Sequence, residues 1–539
     1  MTRFTPATLA RPLLGGPRGA RLANAGPRRG AVGGVLAMCL LAATTLIGVL
    51  VQAPCIARGW DLPYASFRMC ASPLANGLTG ATFPDAAGRA PGAIAEFSPL
   101  TAWVIELGRW SGAAGSAGDV AFFMVLVLLA NVLAVAAGGI ALIALARTRA
   151  ERMWVPVAFV SPVIVFSLGQ SLDPIAVALA LWACVLLRPL PAERPPGAAV
   201  VGTAGDSAGD SAGEGAAGTA GATAGDRAQE GAAGSAARPV APRSPIAAGV
   251  LLALATFINP LGLILLLALT LVHVSRRRLD ELAVAGGVFV LVSGIFIVVD
   301  GRLFGRLAAW WAEAVDRGSI VSLLSFEPSL DPTVLALVSV IAWAAALVIA
   351  SAVMLAGRHR TPLSLPAVAT MLLGLSLLFM PAAPTWNALW LVPFAALAVR
   401  HLWIHVAWGL SEAALAIAIH LSDVTPLESS EGLSPMWLSI FTLLRLFALA
   451  FLVHLAAERL RVREDAPPEG APGAGPRPAA PGSAAASGVP PAPRTAATAP
   501  VPAAERGPTV TSGADCDDDG RRGDAAATGR GRDTERSQD

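Results

Sequence analysis

Lysine is missing from the 539-residue chain, tyrosine occurs once, and charged residues make up only 14% of it. An ordinary soluble domain carries about a quarter charged residues, so this shortage excludes a single globular domain in water. There is no P-loop and no Gly-x-Gly-x-x-Gly after a strand pattern, which argues against a nucleotide-activated donor bound in the cytosol. The six histidines are scattered; His401 and His405 have one-turn spacing but no acidic neighbour, which reads as an interfacial pair and not a metal site. A net charge of +2 supplies no field for nucleic acid. Nothing in the sequence calls for a cofactor. Without lysine, every cationic task, recognition of phosphate included, falls to arginine.

What the chain has in abundance is apolar residues, 55% of the total, with a mean hydropathy of +0.62. They are clumped into runs near the 20 residues that a bilayer core of about 30 Å demands of a helix, so the expectation is an all-α, polytopic transmembrane bundle. Apolar segments cover 31–53 and then roughly 119–147, 154–168, 172–188, 246–258, 260–274, 281–299, 332–356, 362–380, 386–399, 402–421 and 436–458, about 12 spans. Residues 1–30 are basic and precede an apolar run too long for a signal peptide, which reads as an uncleaved span, with a cleaved signal as the alternative. Threaded alternately, the segments put Arg147–Arg152, Arg188–Arg243, Arg276–Arg278, Arg358–Arg360, Arg400 and Arg459–Arg463 on one side with the N-terminal segment. By the positive-inside rule both termini are cytoplasmic, in a cell membrane.

Residues 31–189 form a first membrane part with a long outer loop at 54–118, and residues 245–463 form a second. Between and after them, 190–244 and 464–539 are Gly-, Ala- and Pro-rich and have too little large apolar surface to offset chain entropy, so both read as disordered cytoplasmic segments. Two pairs of short segments are broken at Gly169-Gln170 and at Asn259-Pro260. Each pair reads as a re-entrant hairpin or as two short tilted helices. Non-helical backbone in a bilayer survives only under a cover of protein or around a watery cavity, so the breaks point to an interior site.

The chemistry-bearing residues concentrate in the first outer loop. Glu96, in EFSPLT ahead of an amphipathic stretch at 97–110, is the leading candidate for a general base on a sugar hydroxyl, with a solvated loop acid as the alternative. Asp61 and Asp85 are weaker catalytic candidates, and Arg68 is a candidate phosphate partner. Cys55 and Cys70 share this loop; on an oxidising side they would pair, and otherwise they are two free thiols. Within the spans, Asp173 stands beside a break, Glu412 lies near the middle of one helix and Arg445 near the middle of the last. Such residues are costly in a bilayer and so are functional hypotheses by default. Arg445 suits a lipid phosphate or, alternatively, a structural pair with Glu412. Trp310-Trp311 and Trp386 with Trp390 read as membrane-interface anchors, or as a platform on which a sugar stacks, with Trp386 the candidate contact.

In order along residues 31–463, several segments resemble one family. They are QAPCIARGW at 52–60, Gly77-Leu78 and Phe83-Pro84, EFSPLT at 96–101, RMWVPVAFVSPVIV at 152–165, SLDPIAVALA at 171–180, APTWNALWLVPFAALA at 383–398 and LLRLFAL at 443–449. Together they are similar to actinobacterial multi-pass proteins of glycosyltransferase family 87, the polyprenyl-phosphate-mannose-dependent mannosyltransferases of the GT-C superfamily. The resemblance implies inverting transfer of a hexose, mannose first, from a polyprenyl-phosphate carrier to a cell-envelope glycan or glycolipid on the outer face. It also implies a first-loop carboxylate as base. The chain departs from the family pattern at Pro73, where an acid is expected, and at Ile258–Leu261, where a cation is expected. An inactive relative acting as a structural or interaction protein is the competing reading, followed by a transporter or flippase suggested by the broken spans.

Overall fold

A computed structural model of the chain describes residues 27–61, 64–79, 98–112, 116–146, 148–187, 244–301, 318–324, 331–357, 363–381, 383–424 and 432–462. All belong to the first of two compact units, Met1–Glu469; the second, Gly470–Asp539, lies outside the described residues. The segments read as disordered, 190–244 and 464–539, lie outside them too, apart from Ser244.

Every described element is helical. Six helices are long and apolar enough to cross a membrane: Gly34–Arg58, Ala117–Leu145, Leu279–Val299, Val334–Gly357, Leu402–Ser422 and Met436–Leu460. Their outward faces are apolar, with Val298 83% and Phe447 72% exposed. Side chains of that kind in contact with lipid are in their own solvent, whereas in water they would form an aggregation surface.

The shorter helices are arranged as three hairpins. In the first, Arg149–Phe159 (α1) and Pro162–Ser167 (α2) lead to a break, and Asp173–Leu186 (α3) follows. Asn131, at the middle of Ala117–Leu145, donates to the carbonyls of Leu168 (2.7 Å) and Ser171 (2.9 Å), and Gly138 on that helix faces Ala178. Thus α3 runs parallel to Ala117–Leu145, back towards the end where α1 begins. In the second, Pro245–Ile258 (α4) and Leu261–Ser275 (α5) meet at Asn259-Pro260. Gly249 packs on the Ala285 carbonyl, where a Cβ would come within 2.4 Å, and the Phe257 and Phe296 rings stack at 4.5 Å, so α4 and Leu279–Val299 are parallel. Since α5 leads into Leu279–Val299 through Arg276–Arg278, it must turn back along α4. In the third, Leu365–Phe379 (α6) rises to a break, a 3-10 turn Thr385–Trp390 follows, and Val392–Ala398 (α7) returns. Arg276 Nη2 donates to the Leu363 carbonyl (3.3 Å) at one foot of this hairpin, and Arg459 Nη1 donates to the Ala398 carbonyl at the other.

Proline chemistry explains two of the breaks. The residue before a proline avoids the helical region, and both Ser161 (ψ 126°) before Pro162 and Asn259 (ψ 125°) before Pro260 are extended. Apolar segment 154–168, expected as one helix, is therefore two, and segment 386–399 divides into the 3-10 turn and α7. The helices α3, α4, α5 and α6 have 14, 14, 15 and 15 residues. At 1.5 Å per residue they are about 21 to 23 Å long, shorter than a hydrocarbon core of about 30 Å.

Protein covers the hairpin tips. The first helix does not stop at residue 53 as expected but continues through Pro54 to Arg58, closing with the Gly59 amide on the Cys55 carbonyl (2.7 Å) at φ +96°. Cys55 and Cys70 form a disulfide, S–S 2.00 Å, between the end of this helix and a compact segment containing helices Tyr64–Phe67 and Pro73–Thr79. The helix Pro99–Trp110 packs beside it, with Arg109 donating to the carbonyls of Leu78 (3.1 Å) and Gly77. Among the described residues, much of the loop at 54–118 is thus a folded cap.

Candidate functional site

The tips of the three hairpins meet in one buried polar junction. Asp173, at the start of α3, is its centre. Its Oδ1 accepts from Asn259 Nδ2 (2.7 Å) at the second tip and from Trp390 Nε1 (2.8 Å) beyond the third, and its Oδ2 accepts from Ser171 Oγ (2.7 Å). Asn259 Nδ2 also donates to Asn387 Oδ1 (2.7 Å), while its own Oδ1 accepts from the Leu261 amide (3.0 Å). The bonds of Asp173 with Asn259 and Trp390, and of Asn259 with Asn387, each span two hairpins that the sequence separates by 86 to 217 residues, so these side chains fasten the three breaks together. Asn387 is buried and its Nδ2 has no partner, which leaves the junction one unused donor.

The disulfide-closed cap sits directly on the first tip. Ser72 Oγ donates to the Gly169 carbonyl (2.5 Å), and Gln170 Nε2 donates to the Ala71 carbonyl (2.7 Å). Gly169 lets the Gln52 amide pack against the backbone here, since a Cβ would fall 2.3 Å from it and the Gln52 side chain would have to shift. His420 Nδ1 lies 2.8 Å from the Ala416 carbonyl, to which it donates, and its Nε2 is 3.4 Å from Gln170 Nε2. Ser98, immediately before Pro99–Trp110, donates to the Ile258 carbonyl, one residue from Asn259.

A second polar group secures the third tip. Arg445 Nε donates to Glu412 Oε1 (2.9 Å), and its Nη1 donates to the carbonyls of Ala383 (2.6 Å) and Gly318 (3.0 Å). Trp408 Nε1 donates to the same Glu412 oxygen (2.9 Å). Both charged side chains are buried, at 0% and 2% exposure. Gly318 has φ +110°, and a Cβ there would lie 2.9 Å from Arg445 Nη1, so both backbone and packing require glycine.

The residues expected from the sequence separate into groups. Glu96 and Asp85 lie outside the described residues, as do Trp310 and Trp311. Asp61 is exposed at the rim of the cap, and Arg68 is exposed with its guanidinium 5.7 Å from the centre of the Tyr64 ring, which Arg58 approaches equally closely. Trp386 is half-buried on the 3-10 turn beside Asn387. Asp173 is the hub of the junction. Arg445 faces Glu412 and two carbonyls, which leaves only its buried Nη2 for a phosphate oxygen. Trp390 corrects the sequence reading: it is 1% exposed and bonded to Asp173, so it is no interface anchor.

Sequence reasoning passed over Asn387, Gln170, Ser171 and His420 as partners and treated Asn259 only as a break. The available signal was an amide or hydroxyl at each interruption of an apolar run. An apolar crevice of about 50 Å³ adjoins the junction, lined by Val177 and Leu181 one and two turns beyond Asp173 and by Leu389 and Val392 on either side of Trp390. Among the described residues no group of three or more His, Cys, Asp or Glu could hold a metal ion. No family model, curated protein or solved structure matches the chain.

Proposed function

We propose that the protein is a membrane hexosyltransferase of GT-C type with about 12 crossings, short hairpin helices included. It moves a hexose, mannose first, from a polyprenyl-phosphate donor to a cell-envelope glycan or glycolipid at the end of the bundle that carries the disulfide. In this reading that end faces outward, and both termini are in the cytoplasm of a cell-membrane protein. The arginine-rich turns at the opposite end support the orientation, as does a disulfide, which persists in oxidising compartments.

One observation carries the catalytic assignment. Ser98 is bonded to the Ile258 carbonyl at the edge of the polar junction, and Glu96 precedes it by two residues. Covalent geometry holds the α-carbon of Glu96 within about 7 Å of that of Ser98. A carboxylate there serves as the base that deprotonates an acceptor hydroxyl, while Arg68 on the cap offers positive charge to the leaving phosphate. Asp61 and Asp85 are the alternative bases. Asp173 holds the floor of the site, and Trp386 offers an aromatic face beside Asn387.

The test is transfer of labelled hexose from polyprenyl-phosphate-mannose in membrane vesicles. Glu96→Gln is expected to lower the rate by about 10²- to 10⁴-fold; unchanged transfer removes Glu96 from the mechanism. Pro73 favours a second reading, an inactive relative. It begins the helix Pro73–Thr79 directly after Ser72, so its ring has a structural task where an acid would have had a chemical one. The same vesicles separate the readings: no transfer by the unaltered protein supports the inactive relative, and donor crossing the bilayer without transfer supports a flippase.

A further inference from the structure

We propose that the Cys55–Cys70 disulfide is a redox-sensitive latch on the cap, and that its reduction opens the Asp173 junction to water from that end of the bundle. This concerns access to the junction and holds whether or not a hexose is transferred there.

The disulfide is a short covalent link to the contact that matters. Cys70 is followed at once by Ala71 and Ser72, the two residues that bond Gln170 and Gly169 at the first hairpin tip. Gly169 and Gln170 lead into Ser171, whose hydroxyl holds Asp173. Pulling the cap away therefore removes the two bonds it makes to that loop and leaves Asn131, on the carbonyls of Leu168 and Ser171, as the loop's hold on the bundle. At the other end of the link, Cys55 lies on a long apolar helix that packs Gln52 against Gly169, so the anchor itself does not move.

The cap carries the marks of an element held down against its own preference. Met69, next to Cys70, has φ 58°, a left-handed conformation unusual for a residue with a long side chain. Trp60 Nε1, Ser66 Oγ and Asn76 Nδ2 are buried in the cap without hydrogen-bond partners, as is Gln52 Oε1 beneath it. Cohesion within the cap is partly local, the amides of Cys70 and Ala71 both bonding the Ala65 carbonyl (3.0 and 3.1 Å), while Leu74 and Leu78 pack it into the core of the bundle. Both cysteines are fully buried, so a reductant reaches them only during brief openings. A dithiol reductant then delivers two electrons and two protons, the S–S bond becomes two thiols, the reductant leaves as its own disulfide, and the cap is no longer drawn back.

The test is carboxyl labelling in lipid nanodiscs with a water-soluble carbodiimide and an amine, read by mass spectrometry. Untreated protein is compared with protein reduced by a water-soluble phosphine. Reduction is expected to raise free thiols by two per chain and labelling of Asp173 at least fivefold, while Glu412, clamped by Arg445 at the third tip, changes less than twofold. The double variant Cys55→Ala/Cys70→Ala is expected to behave as the reduced protein; where it fails to fold, the phosphine comparison decides. The proposal is overturned if the thiols appear and Asp173 labelling stays constant, if Asp173 and Glu412 rise together, or if the disulfide resists the phosphine in the folded protein.

Discussion

Asp173→Ala is expected to lower unfolding stability by about 2 to 5 kcal/mol, one of the two largest single-site effects in the protein. The carboxylate accepts from Asn259, Trp390 and Ser171, one donor from each of three chain breaks. Its removal leaves the Trp390 indole N–H without an acceptor in the protein interior, and Ser171 loses its acceptor too. Hydrogen bonds within membranes average well under 1 kcal/mol in double-mutant cycles, but bonds to an ionised group and orphaned donors cost more. Asp173→Asn keeps the volume and one acceptor oxygen, but its amide faces the Ser171 hydroxyl, which must turn its proton away to accept, so an intermediate loss is expected. Trp390→Phe removes one donor and also leaves a void where part of the buried indole packed, so its loss combines a hydrogen-bond and a cavity cost. Thermal or denaturant unfolding in detergent checks that Asp173→Ala costs more than Asp173→Asn; a loss below about 0.5 kcal/mol for Asp173→Ala would show that the carboxylate does not fasten the tips.

Glu412→Ala should cost about 3 to 5 kcal/mol, because it leaves the Arg445 guanidinium buried without its counter-charge. The double replacement Glu412→Leu/Arg445→Met is expected to recover most of that loss, since a buried ion pair replaced by apolar residues of similar volume is often neutral or better. Recovery will be incomplete, as the carbonyls of Ala383 and Gly318 lose the donor that holds them. A double-mutant cycle in unfolding experiments measures this directly. Additive losses would mean that the two side chains are not coupled.

The sequence was most legible where one physical effect dominates. Long apolar runs such as Leu279–Val299 read directly as membrane helices because the bilayer sets their length. Asn259-Pro260 read as a break because proline constrains its predecessor, and Ser161-Pro162 obeyed the same rule but was hidden within an apolar run. Pro54 and Pro156 stand inside helices, so proline alone does not mark an interruption.

The junction was hidden because its parts come from distant segments. Asp173 stood out as a charge beside a break, whereas Asn387 and Trp390 have no local signal that tells a buried donor from an interfacial side chain. The pairing of Arg445 with Glu412 was open beside a phosphate role because both explain an arginine in mid-span. Only the positions of Ala383 and Gly318 reveal how many of its donors are already in use. The cap has no helical signature in the sequence, since helices as short as Tyr64–Phe67 and Pro73–Thr79 have no periodicity to detect.

The most direct measurement is a cryo-electron microscopy map of the full-length protein in lipid nanodiscs saturated with polyprenyl-phosphate-mannose. The account predicts donor density at the disulfide end, its sugar and phosphate lying between the cap and the tip residues Asn259 and Asn387, with Glu96 facing the sugar. Donor density at the arginine-rich end, or none at saturation with the cap still seated on Gly169 and Gln170, would contradict it.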